Sequence, residues 1–306
     1  MEPFLIVDVS AAPDRIEPIG SKEKFWFRDP ADQSLWLFKL ARAGTGEDWS
    51  EKSAAELAEL LGLPHADVEL AQHERAPGIA TKDFTADQLH GDLVHGNEVL
   101  FHLDPTYPRE REYRVPEHTL DAVRCALEQS FVHLPTWTWP DGVTTPWDAF
   151  IGYLMLDALI GNTDRHHQNW GLLAPSRRAG HPATLAPTFD HASSLGRELD
   201  DTERMRRLTT KDMRSNLRTY AAKARSALYD TGHNQPLGPC EAFARAAATS
   251  PAAGRVWLTR LRSVTPGAMS ALVARVPGPT MSVPARHFAL ALLQENQAQL
   301  EALNVG

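Results

Sequence analysis

The segment GNTDRHHQNWG (161–171) gathers Asn162, Asp164, Arg165, His166, His167 and Asn169 directly after a strongly apolar run. Such side chains coordinate metals, move protons or neutralise phosphate charge. Asp164 and Asn169 stand five residues apart, and a second acidic position, Asp190, follows behind Phe189 in APTFDHASSLG (186–196). WGLLA (170–174) and ATLAPTF (183–189) can pair as a hairpin with PSRRAGHP (175–182) at its tip. That pairing would return Asp190 to the side of Asn169. A carboxylate and an amide converging there offer hard oxygen ligands, which suit a Mg²⁺ that keeps some water and binds phosphate oxygens. Asp164 is then left to orient or deprotonate an attacking hydroxyl. Metal ligands, a positioning base and neutralising cations are the set that phosphoryl transfer requires.

The pattern Asp-x-x-x-x-Asn, then a hydrophobic residue and Asp, follows the logic of a protein-kinase catalytic loop and its metal-binding aspartate. The interval from Asn169 to Asp190 is 21 residues, and the local order is Asp-Arg-His. The loop therefore departs from the eukaryotic pattern.

Elements that could position this chemistry precede it. KFWF (24–27) and SLWLFKLA (34–41) are aromatic and branched runs separated by RDPADQ, a hairpin signature. Alternation places Leu35, Leu37 and Lys39 on one face of the second strand. SEKSAAELAELLGLP (50–64) reads as a helix capped by Ser50 and stopped at Gly62. Lys39 on its strand and Glu51 on this helix can form the ion pair that grips ATP phosphates, with Glu56 and Glu59 as alternative partners. Gly20, Ser21 and Lys22 in PIGSKEKFWF (18–27) are placed for backbone and charge contact with phosphates, although the stretch is poor in glycine. VELAQ (68–72) and GIATKDF (78–84) read as further strands.

After residue 84 the pattern turns helical. Residues 85–115 read as loop with short helix, and 117–130 as a helix. TPWDAFIGYLMLDALIG (145–161) is apolar all round, the mark of a helix buried on every side. Further helical periods follow at 209–229, 240–249, 254–262, 266–275 and 284–303. The expected architecture is α+β with two lobes: residues 1–84, β-rich with one helix, and residues 85–306, mainly helical. The 306 residues are 42% hydrophobic and 23% charged, with a formal net charge of −8. That balance fits a globular chain and argues against sequence-independent nucleic-acid binding. Cys125 and Cys240 have no metal-like or disulfide spacing, and neither a signal peptide nor a membrane span is seen. A cytoplasmic protein is expected.

GSKEKFWF, WLFK, WSEKSAAELAELLGLP, GNTDRHHQNWGLL and PTFDHASSLG together resemble the HipA-like kinase family. The resemblance covers roughly residues 18–200, and DRHHQN is its specific part. It implies a two-lobed protein-kinase-like fold using ATP and Mg²⁺. Position by position it implies Asp164 as catalytic base, Asn169 and Asp190 as metal ligands, Lys39 as the phosphate-contacting lysine and Glu51 as its partner. Members include toxin kinases that phosphorylate proteins on Ser/Thr and can silence themselves by autophosphorylation, so a protein acceptor and an antitoxin-like regulator are implied partners. Toxin members tend to carry a serine three residues before the loop glycine. Glu17 stands there, which leaves Ser21 as a candidate phosphosite.

Other readings attach to the same residues. His166 and His167 with Asp190-His191 could form a dinuclear hydrolase site; otherwise one histidine packs beneath the loop and His167 is exposed. Arg165 either holds the loop or neutralises phosphate. Ser193-Ser194 reads as loop structure rather than nucleophile. The basic run from Arg204 to Arg225 reads as a solvated helix face or a docking surface for an acidic substrate. Rival functions are a kinase for a small molecule or peptide product, and a nucleotide-binding pseudokinase scaffold.

Overall fold

The computed structural model describes residues 2–10, 14–16, 23–85, 90–175 and 182–305. The first part is a six-stranded sheet made by β1 (Ile6–Asp8), β2 (Arg15–Ile16), β3 (Lys24–Arg28), β4 (Leu35–Leu40), β5 (Val68–His73) and β6 (Ala76–Lys82), in the order β1-β5-β6-β4-β3-β2. β1 joins β5 in parallel, and the other pairings are antiparallel. Phe25, Phe27 and Phe38 pack with Val9, Ala71 and Ala80 on one face of the sheet. The strand that carries Lys39 leaves Leu35 and Leu37 only half-buried. Its most buried side chain is Phe38, and Lys39 lies across from Ile79 on the opposite face.

Helix α1 (Glu47–Leu61) lies against that second face and ends, as its sequence predicts, at Gly62. Its start differs. The helix opens at Glu47 behind Gly46, with Glu47 and Asp48 in the first turn to complement the helix dipole. Ser50 is buried inside the helix and bonds Ser194 instead of capping. Glycine is required at position 46, because a Cβ there would lie 2.1 Å from the Trp49 ring.

A second sheet, not expected at this size, contains β7 (His90–His95), β8 (Val132–His133), β9 (Gly171–Pro175) and β10 (Ala183–Leu185), in the order β7-β9-β10-β8. The predicted hairpin is its centre, with Leu173 opposite Thr184 and Leu172 opposite Leu185. The predicted tip lies largely outside the described residues. Ala55, Val68 and Ile79 from the first part meet Leu173, Ala186 and Phe189 from the second in one apolar cluster directly before Asp190.

The remaining elements are helical: α2 (Gly96–Leu103), α3 (Leu120–Leu127), α4 (Pro146–Ile160), α5 (Asp201–Thr209), α6 (Leu217–Lys223), α7 (Pro239–Thr249), α8 (Pro251–Ser263), α9 (Pro266–Arg275) and α10 (Val283–Glu301). Every residue of α4 is buried, and α1, α3, α7, α8 and α10 surround it. Thr145 and Asp148 close its start as a capping box, and Gly161 at φ 66° closes its end. Trp147 is buried against Thr249, whereas Trp137 is partly exposed and donates to Gly62 O. The basic run forms α5, α6 and their connection, where Arg204, Arg206, Arg207 and Arg214 pair with Asp201, Glu203 and Asp212 close by. This favours a solvated, self-neutralised face. Among the described residues, no helix is long and apolar enough to cross a membrane.

α4 carries the Asp164–Asn169 loop on its end, so its packing is a direct stability test. Leu156 is fully buried, and Leu156→Ala should cost about 2–5 kcal/mol in chemical denaturation. The exposed Leu60→Ala should stay within about 0.5 kcal/mol of wild type.

Candidate active site

The end of α4 sets the geometry of the loop. Asn162 donates from Nδ2 to Asp157 Oδ1 at 2.8 Å and accepts from Asp164 N at 3.0 Å, which turns the chain sharply after Gly161. Arg165 points inward, 0% exposed. Its Nε and Nη2 donate to the two Asp157 carboxylate oxygens, each at 2.8 Å. Nη2 also reaches Thr188 Oγ1 at 3.0 Å, and Nη1 donates to Asn169 O. Burial works against the guanidinium charge, but Asp157 outweighs it and raises the Arg165 pKa. Arg165 therefore holds the loop and is not available to phosphate. From the opposite side, His95 donates to Gln168 O, while Gly96 N and Asn97 N donate to Trp170 O and His167 O.

Strapped in this way, the loop presents Asp164 to a cleft of about 350 Å³ between the two parts of the molecule. Lys39, Asp164, Asp190, Ser193 and Arg197 line it, with Tyr113 at the outer edge. Burial and the nearby Asp190 charge raise the Asp164 pKa, while His166, Ser193 and Arg197 act in the other direction. Ser193 Oγ donates to Asp164 Oδ2 at 3.3 Å. Asn169 sits just beneath, donating from Nδ2 to Asp164 O at 2.7 Å. No described residue donates to its Oδ1. Asp190 adopts φ 58°, an uncommon left-handed conformation for a non-glycine residue and one seen at functional sites. The hairpin thus returns Asp190 to the side of the Asp164 loop, as its sequence implies.

Lys39 Nζ lies 3.5 Å from Asp190 Oδ2. Burial depresses its pKa, but the carboxylates of Asp190, Glu51 and Glu47 more than offset this. The expected ion pair with Glu51 is not formed. Glu51 is buried, and its Oε1 faces His191 Nδ1 at 3.5 Å. The alternatives are committed elsewhere, Glu56 to Lys52 and Arg275, and Glu59 to His65. Gly20, Ser21 and Lys22, with Glu17, lie outside the described residues.

Asp190 lines the cleft with a carboxylate and Asn169 stands behind Asp164 with an amide, hard-oxygen donors of the kind Mg²⁺ uses together with water and phosphate. Among the described residues, no group of three or more His, Cys, Asp or Glu side chains is gathered for a metal. A dinuclear hydrolase centre would need such a group. His167 is buried, contrary to expectation, because Nδ1 meets the Tyr107 hydroxyl at 2.7 Å. His166 is buried too, and its Nδ1 accepts from Gln168 N. Sequence reading missed Glu47 and Arg197, a buried-end ion pair joining α1 to the segment after Asp190. It also missed His118, which receives Trp170 Nε1–H on Nε2 at 3.1 Å and donates from Nδ1 to Ala227 O. No local spacing marks these residues; only the tertiary fold brings them to the loop.

Residues 16–250 match the HipA-like C-terminal domain. The chain belongs to that family. A curated relative, the serine/threonine-protein kinase CtkA of Helicobacter pylori (strain J99), is 28% identical over 156 residues, which is 50% of this chain and 42% of the relative. The matched segment thus spans less than half of that relative's length. In fold, this HipA-like chain is similar to the crystal structure of the Helicobacter pylori proinflammatory kinase CtkA, with a TM-score of 0.69 at 20% identity, covering 96% of this chain and 95% of the other. It is also similar to the HipA of Shewanella oneidensis MR-1, solved with HipB and operator DNA. There the TM-score is 0.55 at 12% identity, covering 97% of this chain and 67% of the other.

Two outcomes follow from the loop of this HipA-like chain. Arg165→Ala strands the buried Asp157 charge and should cost about 3–5 kcal/mol of unfolding free energy, read by urea denaturation. Burial lowers the His118 pKa from 6.5 to about 3, and that of His167 to about 4. Below pH about 6.5 the unfolded chain takes up protons that the folded chain refuses, so stability is full above that pH and drains away as pH falls towards 3–4. His118 alone should account for on the order of 2 kcal/mol between pH 7 and 5. His118→Gln should flatten this acid limb in denaturation midpoints measured across the range.

Proposed function

We propose that the protein transfers the γ-phosphate of ATP to a hydroxyl, with a protein Ser or Thr as acceptor. One observation carries the reading: Asp164, Asp190 and Lys39, from three separate stretches of the sequence, line one cleft, with Asn169 bonded to the Asp164 backbone just behind it. Kinship with a relative named a serine/threonine-protein kinase supports the same activity. In this reading Asn169 Oδ1 and the Asp190 carboxylate would hold Mg²⁺, Lys39 Nζ would donate to phosphate oxygens, and ADP would leave as the γ-phosphoryl group is transferred. Magnesium-bound ATP supplies the transferable phosphoryl group and neutralises much of its charge. Asp164 then orients the acceptor hydroxyl and takes its proton.

The elevated pKa suits that task, because a general base works best when its pKa moves towards the working pH. Ser193 shows that a hydroxyl can already hydrogen-bond the Asp164 carboxylate from within the cleft. Arg197 Nη2, which donates to Ser193 Oγ at 3.0 Å, adds positive charge beside the same point. Three such groups in one cleft, with Asn169 directly behind them, exceed what a nucleotide-binding scaffold would need.

Asp164→Ala should lower phosphate transfer by about 10²–10⁴-fold while leaving Mg-ATP affinity nearly unchanged by calorimetry. Asp190→Ala should weaken Mg-ATP binding itself. Transfer of labelled γ-phosphate into host lysate, followed by mass spectrometry, distinguishes a protein acceptor from a small molecule. Full activity in Asp164→Ala would remove the assigned base, and Mg-ATP binding with no labelled acceptor would leave only a scaffold.

A further inference from the structure

Glu51 has another partner than the lysine its position suggests, and that partner begins a buried chain. Glu51 is 2% exposed and His191 1% exposed. His191 Nδ1 faces Glu51 Oε1 at 3.5 Å, and Nε2 lies 2.8 Å from Thr188 Oγ1. Thr188 Oγ1 accepts from Arg165 Nη2 at 3.0 Å, and the same guanidinium donates to Asn169 O. Proton directions follow from what each group can do. A guanidinium only donates, so Thr188 Oγ1 accepts from it. Thr188 Oγ1 and His191 Nε2 share one hydrogen bond, which either tautomer of the ring satisfies, and His191 Nδ1 stands beside the Glu51 carboxylate at ion-pair distance. The contacts run without a gap from Arg165 to Thr188 to His191 to Glu51.

The chain touches both candidate metal-ligand positions. His191 is the residue next to Asp190, whose backbone is in the left-handed region. Arg165 holds the carbonyl of Asn169. At its far end Glu51 is fixed by α1, which is itself fastened to the same segment by Ser50 Oγ to Ser194 O at 3.0 Å and Gly46 N to Arg197 O at 2.9 Å. The second Glu51 oxygen is buried and takes no hydrogen bond, so Lys39 does not reach it.

We propose that Glu51 and His191 are positioning residues that act together: through the buried relay Glu51–His191–Thr188–Arg165 they set the placement of Asp190 and Asn169, and Glu51 does not act as the partner of Lys39. The proposal rests on the nucleotide-site reading given above. Removing a hydrogen-bonded residue behind a metal ligand lowers metal affinity by about 10- to 100-fold. A loss of that size is expected here in Mg-ATP affinity and in kcat, with the KM for the acceptor unchanged.

A double-mutant cycle on the full chain tests this, with Mg-ATP binding read by calorimetry and folding by thermal denaturation. Glu51→Gln and His191→Phe should each weaken Mg-ATP binding, and together do no more than the stronger one alone. Glu51→Gln combined with Lys39→Ala should show multiplied losses. His191→Asn, which keeps a donor near the Nδ1 position, should recover part of the affinity and stands in if His191→Phe fails to fold. The proposal is overturned if Glu51→Gln couples to Lys39→Ala and not to the His191 variants, or if the His191 variants bind Mg-ATP like wild type. Wild-type protein that binds Mg-ATP while the relay variants are neutral defeats the relay alone. Wild-type protein that neither binds Mg-ATP nor transfers phosphate defeats the kinase reading, and the relay falls with it.

Discussion

The buried pair of Asp157 and Arg165 is the interaction on which the catalytic loop depends. Two charges removed from water are a costly element, and the cost is met here only because nearly every donor of the guanidinium is used. Such a pair is poor as a source of stability. As a source of geometry it is strong, because the planar fork admits one arrangement of its acceptors. The pair ties the last turns of α4 to the carbonyl of Asn169 and the hydroxyl of Thr188, so helix, loop and returning hairpin share one reference point. Among the described residues, Asp164 has only the Ser193 hydroxyl hydrogen-bonded to its carboxylate. It is placed by the backbone around it, with its carboxylate facing the cleft.

Around that point, apolar and polar contacts divide the work. The cluster of Ala55, Val68, Ile79, Leu173, Ala186 and Phe189 brings the two sheets together but specifies little about angle. Orientation comes from the hydrogen bonds of Ser50 and Gly46, and the ion-pair contact of Glu51, to the segment that follows Asp190. Burial supplies most of the free energy, and directional bonds select among the packings it would allow.

Much of this was legible in the residues. Alternating aromatics marked β3 and β4, and an unbroken apolar run marked α4, since both patterns reflect burial directly. The fivefold spacing of Asp164 and Asn169, with a strand-flanked aspartate after it, was a local signal for a site. Partners were harder. Lys39 lines the cleft while Glu51 is buried behind it, and spacing alone could not show that a histidine beside Asp190 would lie nearer to the glutamate. His167 was expected at the surface because it is polar and in a loop; Tyr107, sixty residues earlier, supplies the partner that makes its burial tolerable. The start of α1 was misplaced for a related reason. Ser50 has the chemistry of a cap, but its hydroxyl serves a tertiary bond to Ser194, and no pattern within α1 records that.

The fastening of α1 has a mechanical consequence. By order in the chain this helix belongs with the strands that flank it, yet Ser50, Glu51 and Glu47 attach it to residues 191–197. A composition boundary at residue 84 therefore cuts across the load path. The helix is shared between the two parts: it packs on β5 and β6, while its polar residues are tied to the segment that follows Asp190.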